Sequence, residues 1–244
     1  MKYIIGLIRT LIASSVMIFY LIRLFVRIAM GGNVAQVGYE ESSYWGATTT
    51  KALGVKVDVK GQIPAGRGLI LANHRSFCDI FALIGMTNCC FVAMKEVESW
   101  ALIGFAAKAV GTIFVDRKDQ QSRRATSIAI KKRLTQGFCV TVFPEGIACQ
   151  GPDIEPFKHG TFKIAAEGNI PIIPVAIEYE KLEQGWGEEG FTSYFFRVFG
   201  SLSAIKVKIR IGETITGDHF EPLLTHTETW IAKNLTEMRA EWGR

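Results

Sequence analysis

The sequence lacks a CxxC pair, a Cys/His cluster and a GxSxG segment. The first two absences remove the usual zinc-binding spacings, and the third removes the nucleophile elbow of serine hydrolases. Five cysteines (Cys78, Cys89, Cys90, Cys139 and Cys149), odd in number, make no disulfide framework and read as small buried hydrophobes in a reducing compartment. Proline is sparse, with seven scattered residues. No low-complexity run, repeat or Pro/Gly/Ser-rich linker interrupts the 244 residues, so one core with an appendage is expected rather than two domains. What is abundant is apolar side chain, 48% of the total. The net charge of +5 suits an anionic partner, but no recognition helix or aromatic RNA-binding signature accompanies it, which disfavours nucleic acid.

Long charge-free runs are also missing. Between Tyr3 and Met30, where Ile, Leu, Val, Phe and Met dominate, the longest uncharged stretch is Thr10 to Ile22, short for a crossing of the bilayer. At about 100° per residue, Lys2, Arg9, Tyr20, Arg23 and Arg27 fall on one narrow stripe and the other faces are apolar. Arg23 and Arg27 are expected to snorkel toward lipid headgroups from a helix or bent hairpin lying in one leaflet. Arginines inside the run and the lack of a small-residue cleavage site weigh against a signal peptide. The expected division is 1–32 as a membrane-associated helical segment and 33–244 as the catalytic body.

A helix is expected around Tyr39 to Leu53, followed by a half-buried strand in which Val55, Val57 and Val59 alternate with polar residues. Short apolar runs at 68–72, 89–93, 112–115, 138–143, 172–178 and 205–211 read as strands. Helices are expected at 76–85, 100–110, 119–136, 161–167 and 223–242. This alternation predicts an α/β fold, a mostly parallel sheet flanked by helices, whose ligands bind beyond the carboxyl ends of the strands.

Three strand exits carry chemistry. Asn73-His74-Arg75-Ser76-Phe77-Cys78-Asp79 places a histidine and an aspartate five residues apart. On a straight helix they diverge, so they meet only if His74 lies in the entering turn, where Asp79 then orients the imidazole for proton abstraction. The bland reading is a helix-capping histidine satisfied by a carboxylate. Gly111 to Arg117 ends a strand with an arginine suited to a phosphate or carboxylate, and Phe143-Pro-Glu-Gly146 brings Glu145 and Gly146 to the same edge. Without an elbow serine, the base would activate a substrate hydroxyl directly. The basic residues Arg123, Arg124, Lys131, Lys132 and Arg133 read mainly as a solvated helix face.

Together these blocks resemble the PlsC-like glycerolipid acyltransferase family, which includes 1-acyl-glycerol-3-phosphate acyltransferases, over residues 55–178. The resemblance implies His74 and Asp79 as the catalytic pair. It also implies acceptor binding by Gly111, Arg117, Glu145 and Gly146, with Lys158 of Pro156-Phe157-Lys158 beside them, and a donor-binding or structural role for Pro174 and Val175. The implied reaction moves a fatty acyl chain from acyl-CoA or acyl-carrier protein to the hydroxyl of a lysolipid, foremost 1-acyl-sn-glycerol-3-phosphate, with no metal or prosthetic group. The implied setting is the inner membrane with the body facing the cytoplasm. One departure stands out: acceptors of lysophosphatidic acid in this family usually follow FPEG with a hydroxyl residue and an arginine, whereas here Ile147-Ala148-Cys149-Gln150 follows. A lyso-aminolipid such as a lyso-ornithine or glycine lipid is therefore the alternative acceptor. A non-catalytic lipid-binding protein and a lipid hydrolase are the rival classes.

Overall fold

Continuous apolar runs become the strands buried on both faces. The computed structural model describes residues 2–87, 89–201 and 203–244. In chain order the elements are α1 (Lys2–Ala29), α2 (Val34–Ala52), β1 (Val55–Lys60), β2 (Leu69–Ala72), α3 (Cys78–Ile84), β3 (Cys89–Met94), α4 (Ala101–Ala109), β4 (Ile113–Val115), α5 (Gln120–Thr135), β5 (Cys139–Val142), α6 (Gly160–Gly168), β6 (Ile172–Tyr179), α7 (Phe191–Phe199), β7 (Ile205–Ile211) and α8 (Phe220–Ala240). The seven strands form one sheet in the order β1-β7-β6-β2-β5-β3-β4. Every neighbouring pair is parallel except β6 with β7. Residues of β2, β5 and β6 are buried throughout, as expected of strands covered on both faces.

Two apolar layers flank the sheet. On one side Phe81 of α3 and Tyr194, Phe195 and Phe199 of α7 pack with Ile70, Val175 and Ile177. On the other, Ile130 and Leu134 of α5, Phe162 of α6 and Ile231 and Leu235 of α8 pack with Leu69, Leu71 and Val140. The predicted strands and helices are present with shifts of a few residues. Helix α7 falls in a stretch where no element was expected, since the preceding Gly-rich loop conceals a short amphipathic segment.

The N-terminal segment is a single helix, α1, with no bend into a hairpin. Its basic stripe points the opposite way from expectation. Arg23 and Arg27 pair with Glu41, and Arg27 also with Glu40, both on α2. Arg9 donates to the carbonyls of Phe199, the last residue of α7, and of Ser201 just beyond it. Tyr20 bonds Thr48, and the Phe196 ring covers Gly6 so closely that an added Cβ would collide with it. Paired charge on the inner stripe leaves the outer face uncharged, with Tyr3, Leu7, Leu11, Phe19, Ile22 and Phe25 exposed and Phe105 of α4 exposed against Phe25.

Candidate active site

Parallel strands leave their carboxyl ends on one edge, and the exits of β2, β4, β5 and β6 meet there. After β2, the Asn73 side chain donates to the Ile177 carbonyl at 2.9 Å and accepts from the Ile177 N–H at 2.8 Å, fixing the exit against β6. The chain then turns instead of entering a helix at once. Oδ2 of Asp79 accepts the Arg75 and Ser76 N–H groups at 2.7 and 2.9 Å, so residues 73–77 wrap around the carboxylate and α3 starts at Cys78. That turn carries His74 back to Asp79, with Nδ1 2.8 Å from Oδ2. A carboxylate can only accept, so Nδ1 holds the proton and Nε2 presents its lone pair.

The imidazole stacks on Phe143 with centroids 4.0 Å apart and planes 9° from parallel. Its side chain stays 16% exposed, whereas Asp79 is fully buried. No hydrogen bond to Nε2 occurs among the described residues. The pair predicted from sequence is thus assembled, with the ring at a rim of the fold.

The other predicted residues divide. Glu145, 2% exposed, faces the turn: Oε1 accepts the His74 N–H at 2.6 Å and Oε2 accepts the Glu155 N–H at 2.9 Å. Burial pushes its carboxyl above the ordinary range against the opposing pull of those bonds, Arg75 and His74. Gly146 adopts φ +82°, and the Arg117 guanidinium lies over it so closely that a Cβ would come within 2.9 Å of Nη1. Arg117 is exposed, and among the described residues nothing accepts from its guanidinium. Lys158 is exposed nearby, held through its N–H to the Pro144 carbonyl.

Gly111 lies elsewhere. It occupies the entry to β4, at the opposite end of that strand from Arg117, with φ +80° and the Arg133 guanidinium 2.7 Å from where a Cβ would stand. Its glycine serves a turn. Pro174 and Val175 are buried in the middle of β6, opposite Leu71 and Ala72.

Residues without a sequence signal complete the site. The Tyr179 hydroxyl, at the end of β6, donates to Oδ1 of Asp79 at 2.5 Å. Arg75, 2% exposed, donates to the carbonyls of Gly151, Pro152 and Asp153, fixing the loop beside the FPEG turn. Glu178 sits 3.9 Å from Arg75 and pairs with Arg239 at 2.6 Å. The N–H groups of Arg75, Ser76 and Cys78, candidates for holding an oxyanion, are committed to Asp79 and to Ser76 Oγ. An apolar cavity of about 110 Å³ lies among α1, α2, α3, β3 and α4, walled by Leu21, Leu24, Trp45, Phe77, Ile80 and Phe91. It shares α3 with the His74 turn. Among the described residues no three His, Cys, Asp or Glu side chains gather as a metal site.

Comparison with known proteins places the chain among acyltransferases. A lyso-ornithine lipid O-acyltransferase of Rhodobacter capsulatus is 32% identical over 136 residues, 52% of this chain and 47% of that protein. Another from Rhizobium meliloti is 28% identical, covering 72% and 66% of the respective chains. A 1-acyl-sn-glycerol-3-phosphate acyltransferase of Neisseria meningitidis serogroup B is 27% identical over 63% of this chain and 61% of that one. The matches thus span about half to two thirds of these relatives' lengths. The crystal structure of the 1-acyl-sn-glycerophosphate acyltransferase PlsC from Thermotoga maritima superposes with a TM-score of 0.75 at 21% identity, covering 98% of both chains, and shares the fold. The family model described as Acyltransferase matches residues 54–178, the span from β1 to the penultimate residue of β6 that contains His74, Asp79, Arg117 and Glu145, and the chain belongs to that family.

Proposed function

We propose that this protein is a lysolipid O-acyltransferase, with a lyso-ornithine type of aminolipid as its acceptor and an acyl thioester as its donor. The observation that carries the reaction is the His74–Asp79 pair, buried on the Asp79 side and open at Nε2. In the proposed step His74 Nε2 removes the proton of the acceptor hydroxyl as that oxygen attacks the thioester carbonyl. The new C–O bond forms, the C–S bond breaks, and the imidazolium returns the proton to the departing thiolate. Asp79 stabilises the imidazolium, and Phe143 and Glu145 hold the ring and its backbone in place. The reaction balances with acyl-CoA or acyl-carrier protein alone, so it calls on no cofactor.

The headgroup reading rests on the residues after Gly146. Cys149 and Gln150 offer no cation for a phosphate, and the Cys149 N–H is spent on the His74 carbonyl. Arg117, unpaired over Gly146, suits the single carboxylate of an ornithine head, and several relatives are named for that acceptor. Lysophosphatidic acid is the second reading, favoured by Lys158 lying exposed beside the same turn and by relatives named for it. The apolar lining of the cavity beside α3 suits one end of the acyl chain.

The uncharged outer face of α1 supports attachment in one leaflet. The helix is long and apolar enough to cross a membrane, but its inner stripe bonds to α2 and to the end of α7 along nearly its whole length. Crossing would drag those polar partners into hydrocarbon, which supports α1 lying flat in one leaflet; the proposed side for the catalytic body is the cytoplasmic one. The test is to supply purified protein with labelled acyl donor and a panel of lysolipids and to identify products by mass. Diacyl ornithine lipid is expected. Phosphatidic acid alone would move the assignment to the second reading, and free fatty acid alone would reject acyl transfer.

A further inference from the structure

We infer that Tyr179 is a positioning residue for the His74–Asp79 pair, a role that rests on the proposed acyl transfer and that neither the family motifs nor the sequence pattern assigns. Tyr179 is the last residue of β6, one position beyond the segment matched by the family model. Its hydroxyl donates to Oδ1 of Asp79 at 2.5 Å, while Oδ2 takes His74 Nδ1, the Arg75 N–H and the Ser76 N–H. The Asp79 carboxylate is therefore fixed by donors on both oxygens. Removing the phenol leaves Oδ1 without its donor, so the carboxylate charge falls more heavily on the bonds that Oδ2 makes to His74 and the turn.

The phenol also draws electron density from the carboxylate and so tempers its pull on the His74 proton. Other ionisable or charged groups around the pair come from every side: Arg75 from the turn, Cys78 from α3, Glu178 from β6, Tyr194 from α7, and Glu145 and Cys149 from beyond β5. None of these donates to Asp79 through its side chain. Burial and the adjacent carboxylate hold the Tyr179 phenol well above its usual pKa, so it stays a donor throughout the working pH range. Tyr194, equally buried in α7, bonds the Ser76 hydroxyl instead and supplies an internal control.

The test is Tyr179→Phe in the full chain, read two ways. Without substrate, proton NMR follows the downfield Nδ1–H of His74, which should move further downfield as Asp79 loses a competing donor. With substrate, kcat should fall about 10-fold, the scale of a hydrogen bond to a charged group, with KM little changed and the acid limb of the pH–rate profile displaced to higher pH. Tyr194→Phe should leave the resonance in place. If Tyr179→Phe fails to fold, uniform 3-fluorotyrosine labelling makes the phenol a stronger donor and should move the resonance upfield. A resonance and acid limb that do not respond, even with lowered activity, would reduce Tyr179 to a packing residue and overturn the inference. A wild-type protein that forms no diacyl product would defeat the proposed reaction, while the resonance would still decide the role of Tyr179.

Discussion

The turn at residues 73–79 and the outer face of α1 are opposite solutions to the same solvent problem. In the turn the polar side chains are tied to main chain and to one another: Asn73 to β6, Arg75 to carbonyls of the 149–153 loop, Glu145 to two N–H groups and Asp79 to four donors. Among the described residues the His74 Nε2 stays open at the rim, while the Arg75 Nε is sealed inside without a partner. On α1 Arg23 and Arg27 turn inward to Glu40 and Glu41, Arg9 turns to carbonyls at the end of α7, and the outward side chains are apolar and exposed. A proton-transfer site needs groups held to fractions of an ångström, whereas adhesion to a bilayer needs only area removed from water. Chemistry and attachment should therefore separate under mutation.

The largest expected break comes from Asp79→Asn, which leaves the shape and offers the imidazole a different partner. Turnover should drop by about 10²–10⁴, the range of general-base assistance, with binding to lipid vesicles unchanged. A variant matching wild type across pH would dissociate the pair from the reaction. Next in size, replacing Phe19, Ile22 and Phe25 together by serine should cut partitioning into vesicles at least about 10-fold while transfer to a detergent-dispersed acceptor persists, because each exposed apolar side chain is worth about 1.5–3 kcal/mol when buried. Loss of detergent activity as well would show that α1 shapes the cavity rather than only the attachment. Arg117→Ala should raise KM for the acceptor roughly 10-fold and spare kcat, as a charge-assisted bond of about 1.5–3 kcal/mol implies. An unchanged KM for every lysolipid would remove Arg117 from acceptor binding.

The smallest effect is on stability and concerns Glu145. Its carboxyl is raised in the folded state, so the fold holds that proton more tightly than the unfolded chain and loses stability as pH rises from the ordinary carboxylate range through the raised value. Glu145→Gln should flatten that decline in a pH series of unfolding curves, though starting from lower stability because an amide cannot accept from both N–H groups. A parallel decline in both proteins would place its origin elsewhere.

Much of this architecture was legible because the central strands are short, fully apolar and closed by turns, which places His74, Arg117 and Glu145 on one edge before any contact is known. The five-residue spacing also carried a geometric demand, a turn before α3, and Asp79 itself meets it by gathering the Arg75 and Ser76 N–H groups. What failed were partners set by tertiary packing. Nothing local tells Arg23 and Arg27 that Glu40 and Glu41 lie within reach, and a helical wheel alone points them to headgroups. Glu145 looks like a ligand in a loop yet spends both oxygens on main chain, and Gly111 shares a motif with Arg117 while sitting at the far end of β4. Tyr179 closes an ordinary buried strand and had no signal beyond its place next to the β2 exit.

The measurement that bears most directly on His74 as base is single-turnover transfer by His74→Ala, combined with intact-protein mass after exposure to the labelled thioester without lysolipid. Product formation at least about 10² slower than wild type is expected, with no acyl adduct on either protein. Near-normal transfer by the variant, or a wild-type adduct that is chased into product, would contradict direct attack assisted by this imidazole.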